Sequence, residues 1–337
     1  RFMPSEPHVP ELTAHEKAWL KKRLDQGLTR LDELGLSARL PARWTLQLEK
    51  TVAADQPTFS TVNQKYSVQV SMKMLAHEDE TVLFNGLGQH IAQLTAGASL
   101  QDFSQLREAL GDVFSGLLTG AGHVGGTDYR ASMGHSRLGD DGIALRYITD
   151  EAAKTKPLAS AAGHVRTLAA LPYQGDETRE GSVLTSRFLF HVRAQPAIKD
   201  SFSSLLVDSL RDLGKWVINE AGQQPLQSLH EGIFRSFGAN RAERVDAIFE
   251  LHLMAAFLLR AAKTEGQRAV IQTSLEARGG KTELIEAMLQ SINGAAARRQ
   301  ERINSSPINQ RLVKMDFSSV RDAKPLSLPV KLARFGF

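Results

Sequence analysis

The chain has 337 residues, of which 42% are hydrophobic and 23% charged, a balance that supports a sizeable core with room for two lobes and excludes an intrinsically disordered chain. Its net charge of +4 comes from 41 basic and 37 acidic side chains scattered along the sequence, so there is no basic stripe to indicate a nucleic-acid partner. Cysteine is absent, which excludes disulfides, thiolate catalysis and cysteine-ligated metals.

Pro4, Pro7 and Pro10 mark an extended arm before a first helix over Thr13 to Leu34. There Thr13 and Glu16 have capping-box spacing, and Leu20, Leu24, Leu28 and Leu31 recur with helical period. Two half-buried strands are predicted at Trp44–Glu49 and Tyr66–Met74, the second from the alternation of Tyr66, Val68, Val70, Met72 and Met74 with polar residues. From Val82 the period lengthens, with Leu83, Leu87, Ile91 and Leu94 on one helical face, and Phe103, Leu106, Leu110, Val113 and Leu117 repeat the pattern in the next helix. Gly120–Gly142 reads as a long glycine-rich loop, of a length that is usually functional or mobile. From about Gly181 the pattern is helical through Phe202–Asn219, Ala242–Ala262, Gln267–Ala277 and Lys281–Ile292. The apolar stretch Leu251–Ala262 is broken by His252 and Arg260 and is too short for a membrane span. A proline-containing tail after residue 304 reads as a strap on the body. The expected organisation is a β-containing lobe over residues 1–120, a loop-rich join and helical lobe over 121–304, and the tail over 305–337.

Val82-Leu-Phe-Asn-Gly-Leu-Gly-Gln-His-Ile-Ala-Gln-Leu-Thr-Ala-Gly97 resembles, without a gap, the active-site helix of the thermolysin-like (gluzincin) zinc metallopeptidases. That helix carries His-Glu-x-x-His, two metal ligands one turn apart with the general base beside the first. In this register Asn85, Gly86 and Gln89 stand where His, Glu and His belong. Arg107-Glu-Ala-Leu-Gly-Asp-Val-Phe114 is similar to the family's next helix, which makes Glu108 the counterpart of the third zinc ligand and Asp112 that of the residue orienting a ligand histidine. Leu138–Asp150 resembles the segment in which Arg146 would hold a substrate carbonyl, and Tyr173–Leu184 the segment in which Glu177 replaces a transition-state-stabilising histidine.

The resemblance implies an α+β, thermolysin-like two-lobe fold and, with the paired histidines and base gone, a catalytically inactive pseudopeptidase without zinc. Its relict cleft would comprise Asn85, Gly86, Gln89, His90, Glu108, Asp112, Arg146 and Glu177 and would bind a protein or peptide. Two alternatives stay open: a metal-dependent hydrolase rebuilt around His90, Glu108 and Glu177, and an assembly component acting through its tail and helical lobe. Gly86 and Gly88 cost about 1 kcal/mol each within a helix, and read either as room for a ligand's backbone or as drift after loss of zinc. His123, Asp128, His135, Asp140 and Asp141 are the calcium candidates, with oxygen donors too few for a regular site. The lack of cysteine, and a start at Arg1-Phe2-Met3 consistent with a trimmed leader, suggest an exported, periplasmic or secreted bacterial protein.

Overall fold

The capping box predicted at the first helix forms: the Glu16 backbone N–H donates to the Thr13 hydroxyl at 3.2 Å and the Thr13 N–H to the Glu16 carboxylate at 2.7 Å. This pair starts α1 (Ala14–Glu33), whose Trp19, Leu20, Leu24 and Leu31 are buried. The fold is taken from a computed structural model, which describes residues 11–36, 46–51, 57–62, 65–97, 100, 103–125, 146–147, 177–217, 230–231, 242–278 and 280–305. After α1 come β1 (Leu46–Thr51), β2 (Thr58–Val62) and β3 (Lys65–Ser71), which form one small sheet in the order β1-β3-β2. β1 runs parallel and β2 antiparallel to β3. Then follow α2 (Met72–His77), α3 (Glu80–Ala96), α4 (Ser104–Thr119), the two-residue strands β4 (His123–Val124) and β5 (Arg146–Tyr147), and α5 (Glu177–Ala194). A 3-10 turn at Lys199–Ser201 leads into α6 (Phe202–Val217), and α7 (Ala242–Ala261), α8 (Glu265–Glu276) and α9 (Thr282–Ser305) complete the described elements.

The expected α+β two-lobe architecture is corrected by this arrangement. Helix dominates the described residues, and the strands are few and short. Helices from both halves of the chain also enter one hydrophobic core, to which α3 contributes Leu87, α4 Leu110, α5 Phe188, α6 Leu210 and α7 Phe257. Each such side chain contributes about 1.5–3 kcal/mol by leaving water. The strand predicted to reach Met74 stops at Ser71, whose hydroxyl accepts the Met74 N–H at 3.4 Å and caps α2. That local hydrogen bond outweighs the alternating pattern. Leu94, placed by periodicity on the buried face of α3, is 43% exposed. The calcium candidates Asp128, His135, Asp140 and Asp141 lie outside the described residues, as does the tail after residue 305.

α3 and α4 approach closely because neither has a side chain where they cross. A Cβ on Gly88 would stand 2.4 Å from Phe114 Cβ, and one on Gly111 would stand 2.6 Å from Gln89 Cγ and 2.8 Å from the Asn85 carbonyl oxygen. These are contacts with backbone and with atoms close to it, which yield only if a helix shifts. Gly88→Ala is therefore expected to destabilise the protein by about 1–3 kcal/mol, although alanine is the better helix former by about 1 kcal/mol. A urea midpoint at or above that of the wild type would show that the helices can separate at little cost.

Candidate functional site

Asp79 caps α3, its Oδ1 accepting the N–H groups of Thr81 at 3.0 Å and Val82 at 3.2 Å. The next turns bring Asn85 and Gln89, at i and i+4, onto one side of the helix. On α4, Glu108 and Asp112 have the same spacing, and the close crossing sets the two pairs against each other. The Asn85 amide donates to Asp112 Oδ1 at 2.8 Å. Gln89 Nε2 donates to Asn85 Oδ1 and to Glu108 Oε2, both at 2.8 Å. From α5 the Ser186 hydroxyl lies 3.0 Å from Asp112 Oδ2, with the Ser182 hydroxyl at 3.5 Å. Asn85, Asp112, Ser182 and Ser186 are fully buried and Glu108 is 8% exposed. The result is a ladder of carboxamides and carboxyls across three helices, each group answering the next.

Four of the residues singled out in the sequence, Asn85, Gln89, Glu108 and Asp112, thus converge. Gly86 is covered by the chain itself: a Cβ there would stand 2.5 Å from the Pro57 carbonyl oxygen and 2.9 Å from its ring, with the Phe59 ring at 3.4 Å. The backbone that the missing side chain admits is the segment entering β2. His90 stacks on Phe59 with centroids 6.1 Å apart, and burial holds its imidazole below the usual histidine range. The residue is 8% exposed. Arg146 lies in β5, paired with Val124 of β4, and Glu177 is the first residue of α5. Ser182, Ser186 and Pro57 were not anticipated. The signal for the serines was present, since two hydroxyls one turn apart interrupt the apolar run of Leu184, Phe188 and Leu189. For Pro57 nothing in the sequence points across to Gly86.

The zinc that the resembled family carries does not fit this donor set. A carboxamide nitrogen has no lone pair for a metal, and both hydrogens of Gln89 Nε2 point at oxygen acceptors. Both positions where the family has imidazoles are therefore spent on hydrogen bonds within the protein. Among the described residues no group of three or more His, Asp or Glu side chains is placed to hold a metal ion, and no helix is long and apolar enough to cross a membrane.

A second buried polar arrangement lies on α7. The Leu106 N–H at the start of α4 donates to Glu250 Oε2. α4 has no side-chain cap of its own, so this carboxyl serves as one from a distant part of the chain. Burial pushes the Glu250 carboxyl up to about 8, with nearby Asp246 adding to the rise and the N–H groups of Leu106 and Gln105 opposing it. Comparison of the chain with protein-family models, with curated proteins and with solved structures gives no match.

Proposed function

We propose that this protein is a non-catalytic, metallopeptidase-like binding protein, in which the helix pair resembling a zinc-peptidase centre has been closed into a polar core and a protein or peptide partner is bound elsewhere on the surface. The observation that carries the reading is the ladder Gln89–Asn85–Asp112–Ser186. Gln89, Asn85 and Asp112 occupy positions named by the resemblance, Ser186 joins them from α5, and the groups bond to one another within the protein. General-base hydrolysis needs a base within reach of a water and an open position for substrate. Gly86 supplies no base, and Pro57 and Phe59 fill the space in which one would stand.

The reading is tested by metal analysis and peptidase assay of the wild type beside an Asn85→His/Gln89→His variant. The wild type is expected to purify without stoichiometric zinc and without chelator-sensitive peptidase activity. The variant, with one imidazole set against Asp112 and the other against Glu108, is expected to bind one zinc per chain and still not cleave peptides, because position 86 has no base. Stoichiometric zinc together with chelator-sensitive proteolysis in the wild type would overturn the proposal.

A further inference from the structure

We propose that the docking of the amino-terminal half of α9 is a proton-controlled latch, in which protonation of His252 on α7 frees this helix from the body and exposes the apolar face of Ile285, Met288 and Ile292. His252 is fully buried, and both ring nitrogens are committed. Nδ1 lies 2.7 Å from the Ile248 carbonyl oxygen, one turn back on α7. A carbonyl can only accept, so Nδ1 carries the proton. Nε2 lies 3.1 Å from the Lys281 backbone nitrogen, which can only donate, so Nε2 must present its lone pair. Geometry alone fixes the neutral tautomer with the proton on Nδ1.

A second proton on Nε2 would face the Lys281 N–H directly. The acceptor at the start of α9 would be lost, and a positive charge would stand at a helix N-terminus, where the macrodipole disfavours it. The neighbours of α7 bring charged groups of their own: Glu108 on α4, Arg187 on α5, Asp212 on α6, Arg278 after α8 and Lys281 before α9. Of these, Glu108 is bonded to Gln89 and Asp212 to Arg260, and Lys281 is the one whose charge acts on the imidazole. Desolvation by burial is the largest influence, and with Lys281 it holds the ring down at about 4.

The junction ahead of α9 concentrates the effect. The N–H groups of Arg278 and Gly280 both turn back to the Leu275 carbonyl, at 2.9 and 3.0 Å. The chain therefore enters α9 from a tight turn, with the Lys281 N–H aimed at His252. Ile285, Met288 and Ile292, which are 3%, 0% and 1% exposed, follow on one face. Loss of the bond at Lys281 thus acts on the first turn of the helix that carries them.

Amide hydrogen exchange of the intact chain at pH 7 and pH 4.5, corrected for intrinsic rates, tests the latch. With the imidazole at about 4 when docked and near 6.5 when released, amides of residues 286–292 are expected to open on the order of 50-fold more at pH 4.5, while α4 and α6 keep their protection. His252→Gln, which can donate to Ile248 and accept from Lys281 without titrating, is expected to remove the acid-dependent part. Should that variant fail to fold, the imidazole nitrogen resonances of His252 in the wild type must titrate together with exposure of residues 286–292. Equal acceleration across all helices, no selective change in α9, or acid-induced opening that persists in His252→Gln would each overturn the proposal.

Discussion

Asp112→Ala is expected to lower stability by about 1–3 kcal/mol, because the substitution strands the buried Asn85 amide. The Asn85 amide loses its acceptor at 2.8 Å and is fully buried, whereas the Ser186 hydroxyl, 3.0 Å from Asp112, keeps the Ser182 carbonyl oxygen at 3.0 Å. Helix α4 holds Asp112 between α3 and α5, so the Asn85 amide cannot turn to water without opening a helix interface. Asp112→Asn keeps the volume but turns an amide toward the Asn85 amide or toward Ser186, and is expected to cost less than the alanine change. Exchanging the two groups, Asn85→Asp with Asp112→Asn, restores one donor facing one acceptor and is expected to recover much of the loss. The urea midpoints of the four proteins give the comparison. A loss below about 1 kcal/mol for Asp112→Ala would show that Asn85 finds another partner, and would remove the ladder as a stabilising element.

Glu250→Gln is expected to abolish the fall in stability above neutrality. Burial raises the Glu250 carboxyl from an ordinary 4.5 to about 8, so between those values the folded chain holds a proton that the unfolded chain has released. Stability from this group is complete below pH 4.5 and is lost as pH rises through 8, by about 2 kcal/mol between pH 6 and pH 8. His252 has the opposite sign. Its imidazole is depressed to about 4, so the unfolded chain binds the extra proton and stability falls as pH drops from 6.5 toward 4. The two slopes oppose each other between pH 4.5 and 6.5, and above pH 6.5 Glu250 acts alone. In Glu250→Gln a neutral carbonyl still accepts the Leu106 N–H, so the fall above pH 6.5 should disappear and the variant should be the more stable protein at pH 8. Urea unfolding at half-unit pH steps reads both limbs, and a wild-type midpoint that stays flat from pH 6.5 to 8.5 would contradict the argument.

Much of the helical plan was legible in order. The Thr13–Glu16 cap and the recurrent leucines of α1, α3 and α4 are local patterns, set by neighbours three or four residues apart. The i, i+4 pairs Asn85/Gln89 and Glu108/Asp112 could be read for the same reason, since spacing on a helix fixes which side chains share a face. What was misjudged depended on competition between local and distant partners. Met72 and Met74 alternate as a strand should, but the Ser71 hydroxyl offers the Met74 N–H a helix cap. Leu94 falls on the apolar stripe of α3, but the neighbouring elements leave it 43% exposed.

The site divides in the same way. Sequence alone determined that imidazoles and a base are missing at positions 85, 86 and 89, and that no cysteine could replace them as a ligand. Whether those positions face an open cleft or a packed interior is a matter of which segments come together, and no local pattern contains it. Only the tertiary structure placed Pro57 over Gly86, aligned Ser186 with Asp112 from 74 residues away, and brought Glu250 to the bare end of α4. The mainly helical architecture was likewise decided there. Motifs of one helix pair constrain that pair, whereas the proportion of sheet and the joining of both halves around one core depend on contacts between elements distant in the chain.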